Sequence, residues 1–282
     1  MSLIEQPISQ LPLVFLDTET TGLAVHKGDE IIEFGAVKVL GGQEIATLDT
    51  LIRPSRSIPP ESTKIHGISD LFVMGAPVFS EFAKELLKFI DGSVVIAHNA
   101  PFDLGFLAVA LENERRNLPD NPVLDTVAFF RSLLPHLMNH KLDTLKKHFD
   151  VKADRAHRAL DDSRALAKVF NKVIEAHFPL LDGGPTLAAL VAKGGPLFRF
   201  KDFESGLPIT VPEHRALYRL GVREDRELTF TIQEPNRFMP EEVRLTPRRL
   251  EGKGSAAAIH GVESGGGDRR ISVETIKGIR AY

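Results

Sequence analysis

The sequence predicts an α/β fold, a mixed sheet flanked by helices, followed by a small, mostly β second domain. Three strand-like segments come first, within residues 12–53, and strands and helices then alternate to about residue 177. Strands followed by such an alternation are typical of a sheet that contains both antiparallel and parallel pairs. After Phe178 the chain becomes rich in Gly and Pro and then breaks into short strand-like segments, which indicates a second domain.

Each element of the first domain is predicted from periodicity or from a boundary residue. The first three strands are LPLVFLD, IIEFGAVKV and EIATLDTLIR, and Gly41-Gly42 marks a turn between the last two. Pro59-Pro60 opens a short helix that ends near Gly67. The remaining elements are a helix at about 79–91, the strand SVVIAHN, a helix at 101–117, the segment PVLDT, and helices near 126–134, 142–149 and 159–177.

These patterns divide the chain into three parts. Residues 1–180 form the first domain, residues 181–196 form a Gly/Pro-bounded linker with one short helix, and residues 197–282 form the second domain. The strands predicted in the second domain are LFRFKDF, RELTFTI, VRLTPRRL, SAAAIHGVE and RRISVETIKGI.

Composition excludes several classes of protein. The 282 residues include no cysteine, which excludes disulfides and thiolate metal sites. The beginning of the sequence lacks the basic region and cleavage site of a signal peptide, and its apolar run is too short to span a bilayer. We therefore expect a cytoplasmic protein with no membrane association.

Charge is unevenly distributed along the chain. Residues 183–282 contain 16 Lys and Arg against 13 Asp and Glu, a net charge of +3, so residues 1–182 contain 19 and 25, a net charge of −6. A surface that binds phosphates through its own charge is expected to be basic. Bound metal ions could supply the missing positive charge in the first domain.

Carboxylates come at three separate places in the first domain. Asp17 and Glu19 end an apolar strand and lie two positions apart, so their side chains point to the same side. Asp103 lies in the first turn of a helix whose start is marked by Asn99 and Pro101, at the head of an apolar stripe. Taken singly, these acids also fit a turn and a favourable helix-dipole contact.

A third segment, HRALDDSRALA, adds an acid and a histidine. Asp162 heads the apolar stripe of Leu166 and Val169 and is expected to point inward, whereas Asp161 is expected to face solvent. His157 lies five positions before Asp162, which on one helix would separate the two by about 140°. We therefore place His157 in the loop before the helix; a surface or capping histidine is the alternative.

Together these residues predict a metal-dependent phosphodiesterase site. Hard divalent cations such as Mg²⁺ prefer oxygen ligands, and two such ions would offset the repulsion among Asp17, Glu19, Asp103 and Asp162. A pair of ions can stabilise both the attacking and the leaving oxygen at phosphorus. His157 could accept a proton from the attacking water near neutral pH.

With these residues identified, the sequence resembles the DEDD 3′→5′ exonucleases over about residues 10–180. The similarity is greatest to the histidine branch and to the proofreading epsilon exonuclease of bacterial replicative DNA polymerases. The matching motifs are DTETTGL at 17–23, HNAPFD at 98–103, His157 with Asp162, and IHGISD at 65–70. The sister branch has a tyrosine four positions before the last aspartate, where this chain has Arg158.

The resemblance implies a ribonuclease H-like fold with a mixed five-stranded sheet. It implies that Asp17, Glu19, Asp103 and Asp162 hold two divalent ions, Mg²⁺ or Mn²⁺, and that His157 is the general base. It further implies release of nucleoside 5′-monophosphates from the 3′ end of DNA, with single strands preferred. The residues that would hold the terminal nucleotide are Thr20, Leu23, His66, Asn99 and Phe102.

Two alternatives remain open from the sequence. The first is an RNA or oligoribonucleotide 3′→5′ exonuclease, because the metal ions act on phosphate and the motifs hardly separate the sugars. The second is a nucleic-acid-binding regulator led by the C-terminal domain, which weakly resembles the SH3-like barrel of WYL domains but lacks their Trp-Tyr-Leu run. A DNA polymerase or a repair protein is the expected partner. The basic residues of this domain that could contact nucleic acid are Arg244, Arg248, Arg249, Arg269 and Arg270.

Overall fold

A computed structural model of the chain describes residues 3–152, 158–178, 184–235, 237–252 and 256–281. The chain divides into two compact units between Lys201 and Asp202. Among the described residues, no helix is both long enough and apolar enough to cross a membrane.

The first unit is built on a mixed six-stranded sheet with the strand order β3-β2-β1-β4-β5-β6. The strands are β1 (Leu13–Thr20), β2 (Ile31–Leu40), β3 (Gln43–Leu51), β4 (Val94–Ala97), β5 (Pro122–Asp125) and β6 (Leu197–Arg199). Strand β1 pairs antiparallel with β2 and parallel with β4, β4 pairs parallel with β5, and β5 pairs antiparallel with β6. The predicted mixed sheet is confirmed, with one more strand than the five expected.

Eight helices are described in the first unit. They are α1 (Pro60–His66), α2 (Asp70–Val73), α3 (Phe79–Ile90), α4 (Ala100–Asn113), α5 (Thr126–Leu133), α6 (Leu142–His148), α7 (Ala159–His177) and α8 (Leu187–Ala192). The longest of them, α7, lies across β1 and β2. Its Phe170 packs against Phe15 of β1 and Phe129 of α5, with ring centroids 5.4 and 6.1 Å away, so the core joins the sheet to the helices.

The sequence-based boundary between the domains differs from the structural one. Strand β6, which the sequence assigned to the second domain, pairs with β5 and buries Phe198. Helix α8, within the predicted linker, places Leu187 and Leu190 in the core of the first unit. Because these apolar side chains are buried there, the first unit continues to Lys201 rather than ending at residue 180.

The second unit contains an antiparallel five-stranded sheet with the order β10-β9-β8-β7-β11. Its strands are β7 (Leu228–Ile232), β8 (Glu241–Glu251), β9 (Ala258–Glu263), β10 (Asp268–Ser272) and β11 (Ile276–Ala281). A helix that the sequence reasoning missed, α9 (Pro212–Glu224), packs on this sheet. Its buried Arg215 donates to the carbonyl oxygens of Phe203 and Ile209, and that stabilisation is not evident from hydrophobic periodicity.

Helix α7 approaches β2 so closely that a side chain is excluded between them. A Cβ atom added at Gly35 would lie 2.0 Å from the backbone nitrogen of Leu160. The Ser163 hydroxyl donates to the Gly35 carbonyl oxygen at 2.9 Å. The start of α7 is therefore held directly against the backbone of β2.

We expect Gly35→Ala to destabilise the first unit by more than about 2 kcal/mol, because the new methyl group would meet backbone atoms that cannot rotate away. Urea unfolding followed by circular dichroism measures this change. Gly75→Ala is the matched control, since a Cβ at Gly75 meets nothing within 4 Å and its φ is not positive. Equal unfolding midpoints for the two variants would contradict the close approach.

Candidate active site

Four acids converge at one end of the sheet. Asp17 and Glu19 lie at the end of β1, where Asp17 is opposite Gly35 and Glu19 is opposite Glu33 of β2. Asp103 and Asp162 come from the first turns of α4 and α7. All four, together with Phe102, line one cleft of about 230 Å³.

The acids are close enough to share metal ions. Asp17, Glu19 and Asp162 each offer an oxygen atom, and these oxygens all lie within 4.8 Å of one another. Asp103 is 3% exposed and accepts a hydrogen bond from the Thr18 hydroxyl at 2.7 Å. Such a set of carboxylate oxygens fits a hard divalent cation.

Burial and mutual repulsion raise the pKa values of these acids. Burial, followed by the negative charges of Asp103 and Glu19, raises the pKa of Asp17 well above its usual range. Burial, followed by the charge of Glu33, raises the pKa of Glu19 to about 8. Burial also raises the pKa of Asp103 to about 7, although the hydrogen bond from Thr18 opposes the shift. Without a cation, this cleft therefore retains protons near neutral pH.

His157 lies outside the described residues, so its location in the loop before α7 stays a prediction. Another histidine, His98, lines the cleft. Its Nε2 donates to the carbonyl oxygen of His140 at 2.7 Å, and its Nδ1 lies 2.9 Å from the Thr126 hydroxyl oxygen. Burial lowers the pKa of His98. Because both ring nitrogens are engaged, His98 is a poor candidate for the general base.

Helix α6 places lysines beside the acids, which the sequence reasoning missed. Lys146 Nζ lies 3.3 Å from Asp162 Oδ1 and 2.7 Å from Asp143 Oδ1. Lys141 also lines the cleft. Nothing in the sequence indicated that α6 packs against α7, which brings Lys146 to Asp162.

The residues expected to hold the terminal nucleotide occupy different surroundings. Phe102 lines the cleft and packs on Phe106 with ring centroids 5.0 Å apart. Thr20 is buried and donates to the Gly22 carbonyl oxygen, and buried His66 accepts the Ile68 N–H at Nδ1. The other two, Leu23 and Asn99, are exposed, and of the five residues only Phe102 belongs to the cleft lining.

Leu23 is 82% exposed on a loop that is firmly held. Asp29 accepts the Ala24 N–H at 2.9 Å, and the Ser62 hydroxyl donates to the Thr21 carbonyl oxygen at 2.8 Å. From its residue type alone Leu23 would be a core residue; here its side chain is presented to solvent from a fixed backbone.

Two other acids of the first unit, Asp161 and Asp125, are buried. Asp161 was expected to face solvent, and this is wrong, because Asp161 is buried and interacts electrostatically with Arg158 and Arg164. Asp125 is the N-cap residue of α5, and its side chain accepts the Val127 N–H at 3.3 Å.

Arginines of the second unit surround a separate depression of about 220 Å³. A bulge in β8 lies between Pro247 and Arg249, opposite Gly261 and His260 of β9. Most of the arginines form ion pairs: Arg248 with Asp225, Arg249 with Glu251, and Arg269 with Glu241 and Glu263. Binding of nucleic acid by this patch, and the resemblance to WYL domains, stay predictions.

A family model described as Exonuclease (RNase T) matches residues 14–170, which is more than half of the chain and includes all four cleft acids. This chain belongs to the RNase T exonuclease family. The matched range contains α4, the start of α7 and all but the first residue of β1, so every element that supplies a cleft acid lies in the part that matches.

Two relatives match part of this chain. The DNA polymerase III subunit epsilon-like protein of Rhodobacter capsulatus is 40% identical over 179 residues, 62% of this chain and 25% of that protein. The DNA polymerase III subunit epsilon of Treponema pallidum is 39% identical over 163 residues, 57% of this chain and 75% of that protein. The chain thus spans a quarter of the length of the first relative.

A solved structure supports the fold over a longer range. Exonuclease I of Methylocaldum szegediense superposes with a TM-score of 0.57 and 16% identity, covering 96% of this chain and 65% of that one. At this identity the likeness concerns the fold alone.

We expect the metal-free protein to lose stability as pH rises from about 4.5 towards 8. The fold favours the protonated form of Glu19, because the pKa of this carboxyl group is raised to about 8 in the folded protein. Ionising the group within this pH range therefore lowers the stability of the fold. The midpoint of thermal unfolding in EDTA should therefore fall as pH rises. A saturating excess of Mn²⁺ should raise the midpoint again at high pH. An unfolding midpoint that depends on neither pH nor Mn²⁺ would contradict the interpretation of this cleft as a group of buried acids that can bind a divalent cation.

Proposed function

We propose that this chain is a metal-dependent 3′→5′ exonuclease that releases nucleoside 5′-monophosphates from the 3′ ends of DNA, with single strands preferred. The observation that carries the proposal is the convergence of Asp17, Glu19, Asp103 and Asp162 on one cleft. Family membership supports hydrolysis of phosphodiester bonds, and both relatives are named for a subunit of a DNA polymerase, which supports DNA as the substrate.

In this proposal the four acids hold two divalent ions, Mg²⁺ or Mn²⁺. Bound ions would neutralise the charge of the acids and phosphate and would lower the pKa of the attacking water. The raised pKa values of Glu19 and Asp103 support this arrangement, because a cation relieves the repulsion that otherwise retains protons there. Lys146, paired with Asp162, keeps that carboxylate turned towards the cleft.

The remaining residues handle the proton and the nucleotide. His157, which directly precedes Arg158 in the sequence, accepts the proton of the attacking water. Phe102, in the cleft, contacts the terminal sugar or base, and the exposed Leu23 packs against a base. Thr20, His66 and Asn99 support these contacts. A polymerase or repair partner stays a prediction supported by the names of the relatives alone.

A degradation assay with the full chain tests the proposed substrate. We expect 3′-labelled single-stranded DNA to yield labelled mononucleotides in Mg²⁺ or Mn²⁺ and to remain intact in EDTA. Matched double-stranded DNA and both forms of RNA should be degraded more slowly. Faster degradation of RNA than of DNA would contradict DNA as the substrate and would favour the alternative of an RNA-trimming exonuclease.

The roles of the cleft residues can be separated by substitution. Asp17→Ala and Asp162→Ala should abolish cleavage while the far-ultraviolet circular dichroism spectrum is unchanged. His157→Ala should lower kcat by about 10²- to 10⁴-fold, as is usual for a general base, without weakening Mn²⁺ binding in calorimetry. Asp91→Asn, an exposed acid at the end of α3, is the control. Parental cleavage by Asp17→Ala protein would disprove the proposal.

The role of Leu23 can be tested without disturbing the fold. Because the side chain is exposed, Leu23→Ala should change the free energy of unfolding by less than about 0.5 kcal/mol. Losing an apolar contact worth roughly 1–2 kcal/mol should lower kcat/KM on single-stranded DNA about tenfold. Leu71→Ala, at another exposed leucine, is the matched control. Unchanged kcat/KM in Leu23→Ala protein would exclude a contact with substrate.

A further inference from the structure

Glu33 is a buried acid beside the cleft that the sequence reasoning did not single out. It is the third residue of β2 and lies directly opposite Glu19. Its side chain is only 1% exposed. A charged carboxylate buried to this degree is costly unless it is paired and hydrogen-bonded, so its partners indicate its role.

Both carboxylate oxygens of Glu33 are bonded to the start of α7. Oε1 accepts from Arg158 Nε at 2.7 Å and lies 2.6 Å from Arg158 Nη2. Oε2 accepts the backbone N–H of Ala159 at 3.1 Å. These two residues are the N-cap and the first residue of α7, and the Arg158 side chain itself makes no capping bond. Glu33 therefore supplies the capping acceptor from a neighbouring strand.

The position of Asp162 depends on this contact. The Asp162 N–H donates to the carbonyl oxygen of Arg158 at 2.9 Å, so Asp162 belongs to the helical turn that Glu33 caps. His157 directly precedes Arg158 in the sequence. Together with the close approach at Gly35, the Glu33 contact determines where α7 begins relative to β2.

Glu33 is itself unsuited to hold a metal ion. Its two oxygens are already bonded to Arg158 and Ala159, and it is almost completely shielded from solvent. The group of described residues whose oxygens converge comprises Asp17, Glu19 and Asp162, without Glu33. The positive charge of Arg158, whose Nε and Nη2 both contact Oε1, also offsets the charge that Glu33 places beside Glu19.

We propose that Glu33 is a positioning residue of the metal site: by capping α7 from β2, it holds Asp162 in register with Asp17 and Glu19. This inference rests on the proposed function in that the cleft binds divalent ions. Glu33 touches neither the ions nor the substrate in this arrangement, and it acts through the backbone of α7.

The test is Mn²⁺ binding to the full chain, measured by calorimetry without nucleic acid. Glu33→Met keeps the side-chain volume but removes both acceptors, and we expect its Mn²⁺ affinity to fall tenfold or more, as is typical when an outer partner of a metal site is lost (about 10–100-fold). Glu33→Gln keeps one acceptor for the Ala159 N–H and should lose less, about threefold. Hydrogen exchange should accelerate in peptides covering the start of α7 in Glu33→Met protein.

A matched control exists on the same helix. Glu44 of β3 forms a bidentate pair with Arg164 of α7, at 2.8 and 3.1 Å, but both side chains are well exposed and the pair does not reach the first residue of the helix. Glu44→Met should therefore leave Mn²⁺ affinity and hydrogen exchange at the start of α7 unchanged. A purely general effect of losing a Glu–Arg pair between sheet and helix would weaken both variants alike.

The outcomes separate this inference from the proposed function. Folded Glu33→Met protein with parental Mn²⁺ affinity overturns it; if that variant does not fold, parental affinity in Glu33→Gln overturns it instead. If parent and Asp17→Ala protein bind Mn²⁺ equally, the metal site is absent and the inference is also overturned. If the parent binds Mn²⁺ but degrades no nucleic acid, the proposed function fails, while the Mn²⁺ measurements still decide the role of Glu33. In an active enzyme, Glu33→Met should lower kcat and raise the Mn²⁺ requirement with little change in KM.

Discussion

Repulsion among buried carboxylates is the constraint on which the first unit depends. Asp17 and Glu19 share one face at the end of β1, and Asp103 and Asp162 are brought to them by two helices. Burial removes the water that would screen these charges, so their pKa values rise. Both helices present their N-termini, whose exposed N–H dipoles favour negative charge, but this offsets only part of the cost. Other contacts of the fold must therefore hold the two helices, and with them the acids, in place.

Two further buried acids do this, one for each helix. Asp125 accepts the N–H groups of Asn99 and Ala100 at 2.9 and 3.0 Å and so fixes the start of α4, which carries Asp103. Glu33 does the same for α7 from β2. In both cases the helix start is capped by an acid from an adjacent strand or strand end, and that acid is not one of the converging group. The helices are thus aligned by contacts that lie outside the cleft.

The parts of this arrangement that follow from local periodicity could be predicted from the sequence. The spacing of Asp17 and Glu19, and the apolar stripes headed by Asp103 and Asp162, predicted acids that point inward, and the structure brings all four into one cleft. Their role as metal ligands stays a proposal. What failed depends on tertiary packing: β6 joins the first sheet because Phe198 is buried there, and Asp161 is buried near two arginines. Glu33 was missed although its signal was present, since a lone acid inside the apolar run IIEFGAV needs a partner.

The hydrogen bonds of an acid distinguish its task better than its residue type or its burial. Oxygens of Asp17, Glu19 and Asp162 converge on a common space, whereas Glu33 and Asp125 each accept backbone N–H groups at the start of a helix. A cation can enter the first group because it relieves repulsion there, but entering the second would break helix caps. The net charge of −6 in residues 1–182 therefore includes acids that could bind a metal ion and acids whose oxygens are already used in helix caps. A count of acids alone would overstate the number of candidate metal ligands. The hydrogen bonds from backbone N–H groups identify the acids that should be left out of that count.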